Sequence, residues 1–175
     1  MVQARFSSSP HYDDRPTDEI SLIVVHGISL PPGKFGGDDV EDLFLGRLDT
    51  SNPELADLIG VRVSSHLFIR RSGEIIQFVD FDKRAWHAGE SVFLGRSACN
   101  DFSIGVELEG TDTIEYENVQ YLQLVSVCRT LISEYSILNV RGHCDISPGR
   151  KTDPGSTFEW HRLEEALGPG LLGCE

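Results

Sequence analysis

Residues Ile20–His26 read ISLIVVH, a near-continuous run of apolar and β-branched side chains ending in an imidazole. Such a run fits a strand covered on both faces, as in a sheet with helices packed over it. It is followed by GISLPPGKFGG (27–37), whose prolines and glycines make a loop. Working outward, Ser65–Arg70 and Glu74–Asp80 are apolar-rich runs parted by Ser72–Gly73, a hairpin with a tight turn. Ser103–Glu109, SIGVELE, alternates: Ile104, Val106 and Leu108 take one face, and Ser103, Gly105, Glu107 and Glu109 the other. Over 117–135, Tyr121, Leu124, Val125, Cys128, Leu131, Ile132 and Tyr135 recur at helical spacing.

Shorter elements fill the remainder. Asp38 and Asp39 are placed to cap a helix running to about Leu45, and Asn52–Pro53 opens another short helix. Leu138–Arg141 is a short strand, the following GHCDISPGRKTDPG a loop, and Phe158–Leu167 a last helix. The expected architecture is a mixed α/β single domain, a central mixed β-sheet flanked by α-helices, over residues 19–168. Residues 1–18 are expected to be an arm or loop and 169–175 a loose tail.

The 175 residues suit one core, and the formal net charge of −13 argues against nucleic acid or anionic lipid as a partner, since either would need a basic face. No apolar run reaches membrane-spanning length and the first residues lack a secretory apolar stretch, so a cytoplasmic protein is expected. Cys99, Cys128, Cys144 and Cys174 form no CxxC pair, which argues for reduced thiols and against a cysteine zinc site. No heptads are present, and a monomer is expected.

Of six histidines, His26 and His143 stand where strands open into loops, and Asp153 lies ten positions after His143. Two imidazoles and a carboxylate suffice for a catalytic zinc site with one position open. By spacing alone the same residues fit two core histidines and a turn-capping aspartate. Glu107, inside a strand beside a glycine, lies at a sheet edge, faces solvent, or faces a cleft where it could move a proton. Lys151 is either a solvated surface lysine or a cation beside the site. Trp86–His87 either anchors its loop or offers a ring face and an adaptable polar group to a sugar or peptide. His66 reads as structural, and His11 and His161 as surface residues.

Taken in order, VVHGISLPPGKFGG, VSSHLFIRRSGEIIQFVDFDKRAWHAGES, CNDFSIGVELEGTD and GHCDISPGRKTDPG resemble the AmpD-type 1,6-anhydro-N-acetylmuramyl-L-alanine amidases. These are relatives of phage amidases and peptidoglycan-recognition proteins. The resemblance spans about residues 20–155. It implies Zn2+ held by His26, His143 and Asp153, water activation by Glu107, transition-state stabilisation by Lys151, and substrate contacts from Arg62 and Trp86, with His87 a further candidate. The implied substrate is a small anhydro-muropeptide cut in cell-wall recycling, an activity that also lowers the signal for β-lactamase induction. The chain departs from the family pattern at Gly27, often Asn; at Ala98, often Arg, where Arg96 could substitute; and in having no Tyr from Gly27 to Ser65. A muropeptide-binding module without catalysis is the alternative; the presence of Glu107 and Lys151 favours the enzyme. An extracellular autolysin and a zinc-bearing structural protein fit less well. The cleft for an acidic muropeptide is expected to draw positive charge from Arg62, Arg70, Arg71, Lys83, Arg84 and Arg96.

Overall fold

A computed structural model describes residues 3–168 and 170–172. The expected tail and Cys174 fall largely outside these residues. Among the described residues there are ten strands: β1 (Arg5–Phe6), β2 (Tyr12–Asp14), β3 (Leu22–Ile28), β4 (Leu67–Ile69), β5 (Ile75–Gln77), β6 (Lys83–Ala85), β7 (Val92–Phe93), β8 (Arg96–Ser97), β9 (Ser103–Glu109) and β10 (Asn139–Gly142). The helices are α1 (Asp39–Phe44), α2 (Asn118–Glu134), α3 (His143–Ile146) and α4 (Trp160–Leu167), with 3-10 turns at Pro53–Leu58 and Cys99–Asp101. Six strands form one mixed sheet in the order β1-β5-β4-β9-β3-β10. Strands β10, β3, β9 and β4 run parallel, and β5 returns antiparallel to β4.

The period-2 argument explains the two sides of this sheet. Ile23, Val25, Ile104, Val106 and Leu108 face a core closed by Tyr121, Leu124, Val127, Cys128 and Leu131 of α2 and by Leu163 of α4. The opposite side carries two separate apolar clusters. Phe68 and Ile76 pack under Val40, Leu43 and Phe44 of α1, while Leu22 and Val24 pack against Ala88, Phe102 and Ile146. At the start of helix α2 the Gln120 side-chain oxygen accepts from the Glu117 backbone N–H at 2.9 Å.

Four expectations need correction. Residues 5–14 are not wholly arm or loop. β1 adds to the sheet beside β5, β2 pairs with β6, and Arg5 donates to Glu41 at 2.9 and 2.8 Å. The 142–155 segment is not wholly loop, because Asp145 accepts from the Gly142 N–H at 2.8 Å and caps the single turn of α3. Asp38 does not cap α1 with its side chain; it accepts from Arg70 at 3.2 Å instead. His11 is not a surface residue: it is buried, with Nδ1 3.0 Å from the Val63 carbonyl oxygen.

Candidate metal centre

Strand register assembles the site. Gly142 stands beside Val25, so His143 follows next to His26, and His26 is the direct partner of Glu107. Three chemically active side chains thus form a row across the carboxyl ends of three parallel strands, the usual location of sites in parallel sheets. Glu107 is neither at an edge nor solvent-facing: β9 is central, paired on both sides, and Glu107 and Glu109 are buried. Glu109 is spent on structure, accepting from the backbone N–H groups of Gly36 and of Arg71, the latter at 2.9 Å.

His26 Nδ1, His143 Nδ1 and an Asp153 carboxylate oxygen form a compact triangle, with sides of 3.0, 3.1 and 3.3 Å. Ligands about 2.0–2.1 Å from a tetrahedral zinc are separated by roughly 3.3 Å, so the donor set and its spacing fit this ion. His143 Nε2 lies 3.0 Å from the Ala88 carbonyl and donates to it, which leaves Nδ1 as a lone pair facing the triangle. Burial pushes His26 down to about 4, favouring the neutral ring that a metal requires. Burial would raise Asp153, but its contacts with His143 and His26 outweigh that and hold it far below the usual carboxylate range.

Asp153 is held from two directions. The Cys144 N–H donates to its carbonyl at 3.0 Å, and the Tyr116 hydroxyl donates to the next carbonyl, Pro154, at 2.9 Å. A Cβ on Gly27 would lie 2.2 Å from that Tyr116 oxygen, so the phenol occupies the room a side chain at 27 would need.

Glu107 approaches His26 Nδ1 to 4.0 Å through one oxygen, while its other oxygen, Oε2, is buried without a hydrogen-bond partner among the described residues. Burial, reinforced by Asp153 and opposed by Lys151, raises this carboxyl well above its ordinary range. Lys151 is exposed, yet its charge acts on both His26 and Glu107.

The other candidates lie elsewhere. Trp86 stacks on His11, with ring centroids 6.0 Å apart, and the exposed Arg62 lines a cavity with His11, Leu48 and Thr50. His87 sits behind His26, buried, rather than at the surface beside Trp86. Most of the expected cleft cations are engaged with the chain's own carboxylates: Arg70 with Glu41, Lys83 with Asp14, Arg84 with Asp13 and Asp101, and Arg71 with Glu117. Arg96 pairs with Glu19 at 2.7 Å and lies over the Phe102 ring. Among the described residues Arg62 has no such partner.

The profile of the family described as N-acetylmuramoyl-L-alanine amidase matches residues 16–156. The chain is 58% identical over 167 residues to the 1,6-anhydro-N-acetylmuramyl-L-alanine amidase AmpD of Salmonella typhimurium strain SL1344, covering 93% of this chain and 89% of the relative. A crystal structure of a selenomethionine AmpD derivative superposes with a TM-score of 0.92 at 55% identity, covering 95% of both chains. The Escherichia coli amidase AmiD, in complex with anhydro-N-acetylmuramic acid-L-Ala-D-γ-Glu-L-Lys, superposes with a TM-score of 0.62 at 30% identity, covering 88% of this chain and 58% of that one.

Proposed function

This chain belongs to the N-acetylmuramoyl-L-alanine amidase family, and from that premise we propose that it hydrolyses the amide between the lactyl group of 1,6-anhydro-N-acetylmuramic acid and L-alanine, with zinc held by His26, His143 and Asp153. The observation that carries this reading is the triangle of three ligand atoms with the unpartnered Glu107 oxygen beside it. The AmiD complex supports the substrate class, because a protein of the same fold binds an anhydro-muropeptide.

When bound, zinc supplies Lewis acidity to the reacting carbonyl and to water. Glu107 accepts a proton from the attacking water at Oε2, and burial raises the proton affinity of that carboxyl. The same carboxyl hands that proton to the alanine nitrogen as the C–N bond breaks. Lys151 places positive charge where the carbonyl oxygen becomes negative. Arg62 and Trp86, flanking His11, hold the fragment's charged and apolar parts. The substrate class carries with it a cytoplasmic role in cell-wall recycling and, where the regulator exists, lowered β-lactamase induction. No described helix is long and apolar enough to cross a membrane.

Metal stoichiometry together with turnover tests the reading. One zinc per chain and release of the peptide are expected in the parent, and both are lost in His143→Ala. Turnover that survives in metal-free His143→Ala contradicts it.

A further inference from the structure

His87 is buried and takes no part in the chemistry above, yet both its ring nitrogens are engaged. Nδ1 lies 2.9 Å from His26 Nε2, and Nε2 lies 3.1 Å from Ser103 Oγ. The Ser103 hydroxyl is in turn 2.6 Å from the Cys99 carbonyl oxygen. That last contact fixes the polarity of the whole chain. A carbonyl only accepts, and two oxygens this close need a hydrogen between them, so Ser103 spends its single proton on Cys99. Its lone pair therefore accepts from His87 Nε2–H. A neutral His87 then has Nδ1 as acceptor, and His26 must donate from Nε2. The remaining nitrogen of His26, Nδ1, is left as a lone pair pointing at His143 and Asp153.

We propose that His87 is a positioning residue for the metal centre, setting the tautomer and ring orientation of His26 through the relay Cys99–Ser103–His87–His26. This rests on the zinc reading above. Two further observations point the same way. A Cβ on Gly105 would lie 2.5 Å from His87 Cγ, so this central strand lacks a side chain where the His87 ring lies against it. The backbone N–H groups of His87 and Ala88 both donate to the Asn100 side-chain oxygen, at 3.2 and 2.8 Å. Asn100 thus clamps a dipeptide that serves both imidazoles: the His87 ring orients His26, and the Ala88 carbonyl orients His143. Ligand histidines depend on such partners for basicity and aim.

The test is zinc affinity, measured by competition against a chromophoric chelator, alongside the ring 15N shifts of His26 in the zinc-loaded protein. For His87→Phe, which offers no acceptor, affinity is expected to fall about 10–100-fold. His87→Asn, whose amide oxygen can take the place of Nδ1, should recover most of that loss. Ser103→Ala is the milder perturbation and keeps the question open to test if His87→Phe does not fold. It should weaken zinc severalfold and disturb the Nε2–H signature of His26, with the melting temperature of the metal-free protein little changed. Folded variants that bind zinc as tightly as the parent, with an unchanged His26 signature, overturn the proposal and leave the zinc reading intact. A parent protein that binds no zinc overturns both.

Discussion

Glu107 has one oxygen near His26 and another that meets no donor among the described residues, an arrangement that costs stability unless a reactant completes it. Glu107→Gln is expected to keep zinc, fold normally and lose about 10²–10⁴-fold in kcat, checked by turnover and metal content on the same sample. Lys151→Ala should lose about 10²–10³-fold in kcat, with the metal again retained. Gly27 makes a separate claim. A side chain there must displace the Tyr116 hydroxyl, so Gly27→Asn is expected to cost ~1–3 kcal/mol in urea unfolding and to loosen the segment bearing Asp153. At this scale the sequence was only partly legible. His26, His143 and Asp153 are as readable as two core histidines and a turn residue, and only the ordered family motifs separate the readings. The Trp86–His87 pair left a loop-anchoring and a ligand-binding reading open, and the His87 ring lies buried behind His26. The signal that could have located it was Gly105, a glycine inside an alternating strand, which marks the close approach of another group.

The long elements could be read because their periodicity is dictated by burial. Strand β3 has an apolar core on each side, strand β9 alternates between one core and the site, and α2 buries one stripe. The short ones could not. β1 and β2 hold only two and three residues, mostly polar, and are secured by partners far away in sequence: Arg5 with Glu41, and Asp13 with Arg84. Glu41 reports on that stitching. The Arg5 guanidinium, helped by Ser7 and Arg70 and opposed by burial, lowers its carboxyl from 4.5 to about 2. A depressed folded-state value means the stabilisation is fully present above about 4.5 and is lost as pH falls toward 2. Glu41→Gln should therefore cost about 2 kcal/mol at pH 7, where the pair is half-exposed on the arginine side, and almost nothing near pH 2. Urea unfolding at both pH values checks the sign. An equal loss at both would mean that the contact acts by packing and not by charge.

For the molecule as a whole, the charge of −13 could be read as solubility, but where the positive charge is spent could not be. Five of the six cations expected near the cleft are paired with carboxylates of the same chain, whereas Arg62 and Lys151 make no such pair among the described residues. Arg62→Glu should raise KM severalfold with an unchanged melting temperature. Arg84→Glu, which leaves Asp13 and Asp101 facing a third carboxylate, should lower the melting temperature by roughly 4–8 °C, the equivalent of about 2 kcal/mol. The most direct measurement of the central claim is mass spectrometry of products from a 1,6-anhydro-N-acetylmuramyl peptide incubated with the zinc-loaded protein, then with chelator, then with zinc restored. The account predicts a peptide with a free L-alanine amine and an anhydro sugar bearing a lactyl carboxylate, abolished by chelator and regained with zinc. Intact substrate in the presence of stoichiometric bound zinc would contradict it.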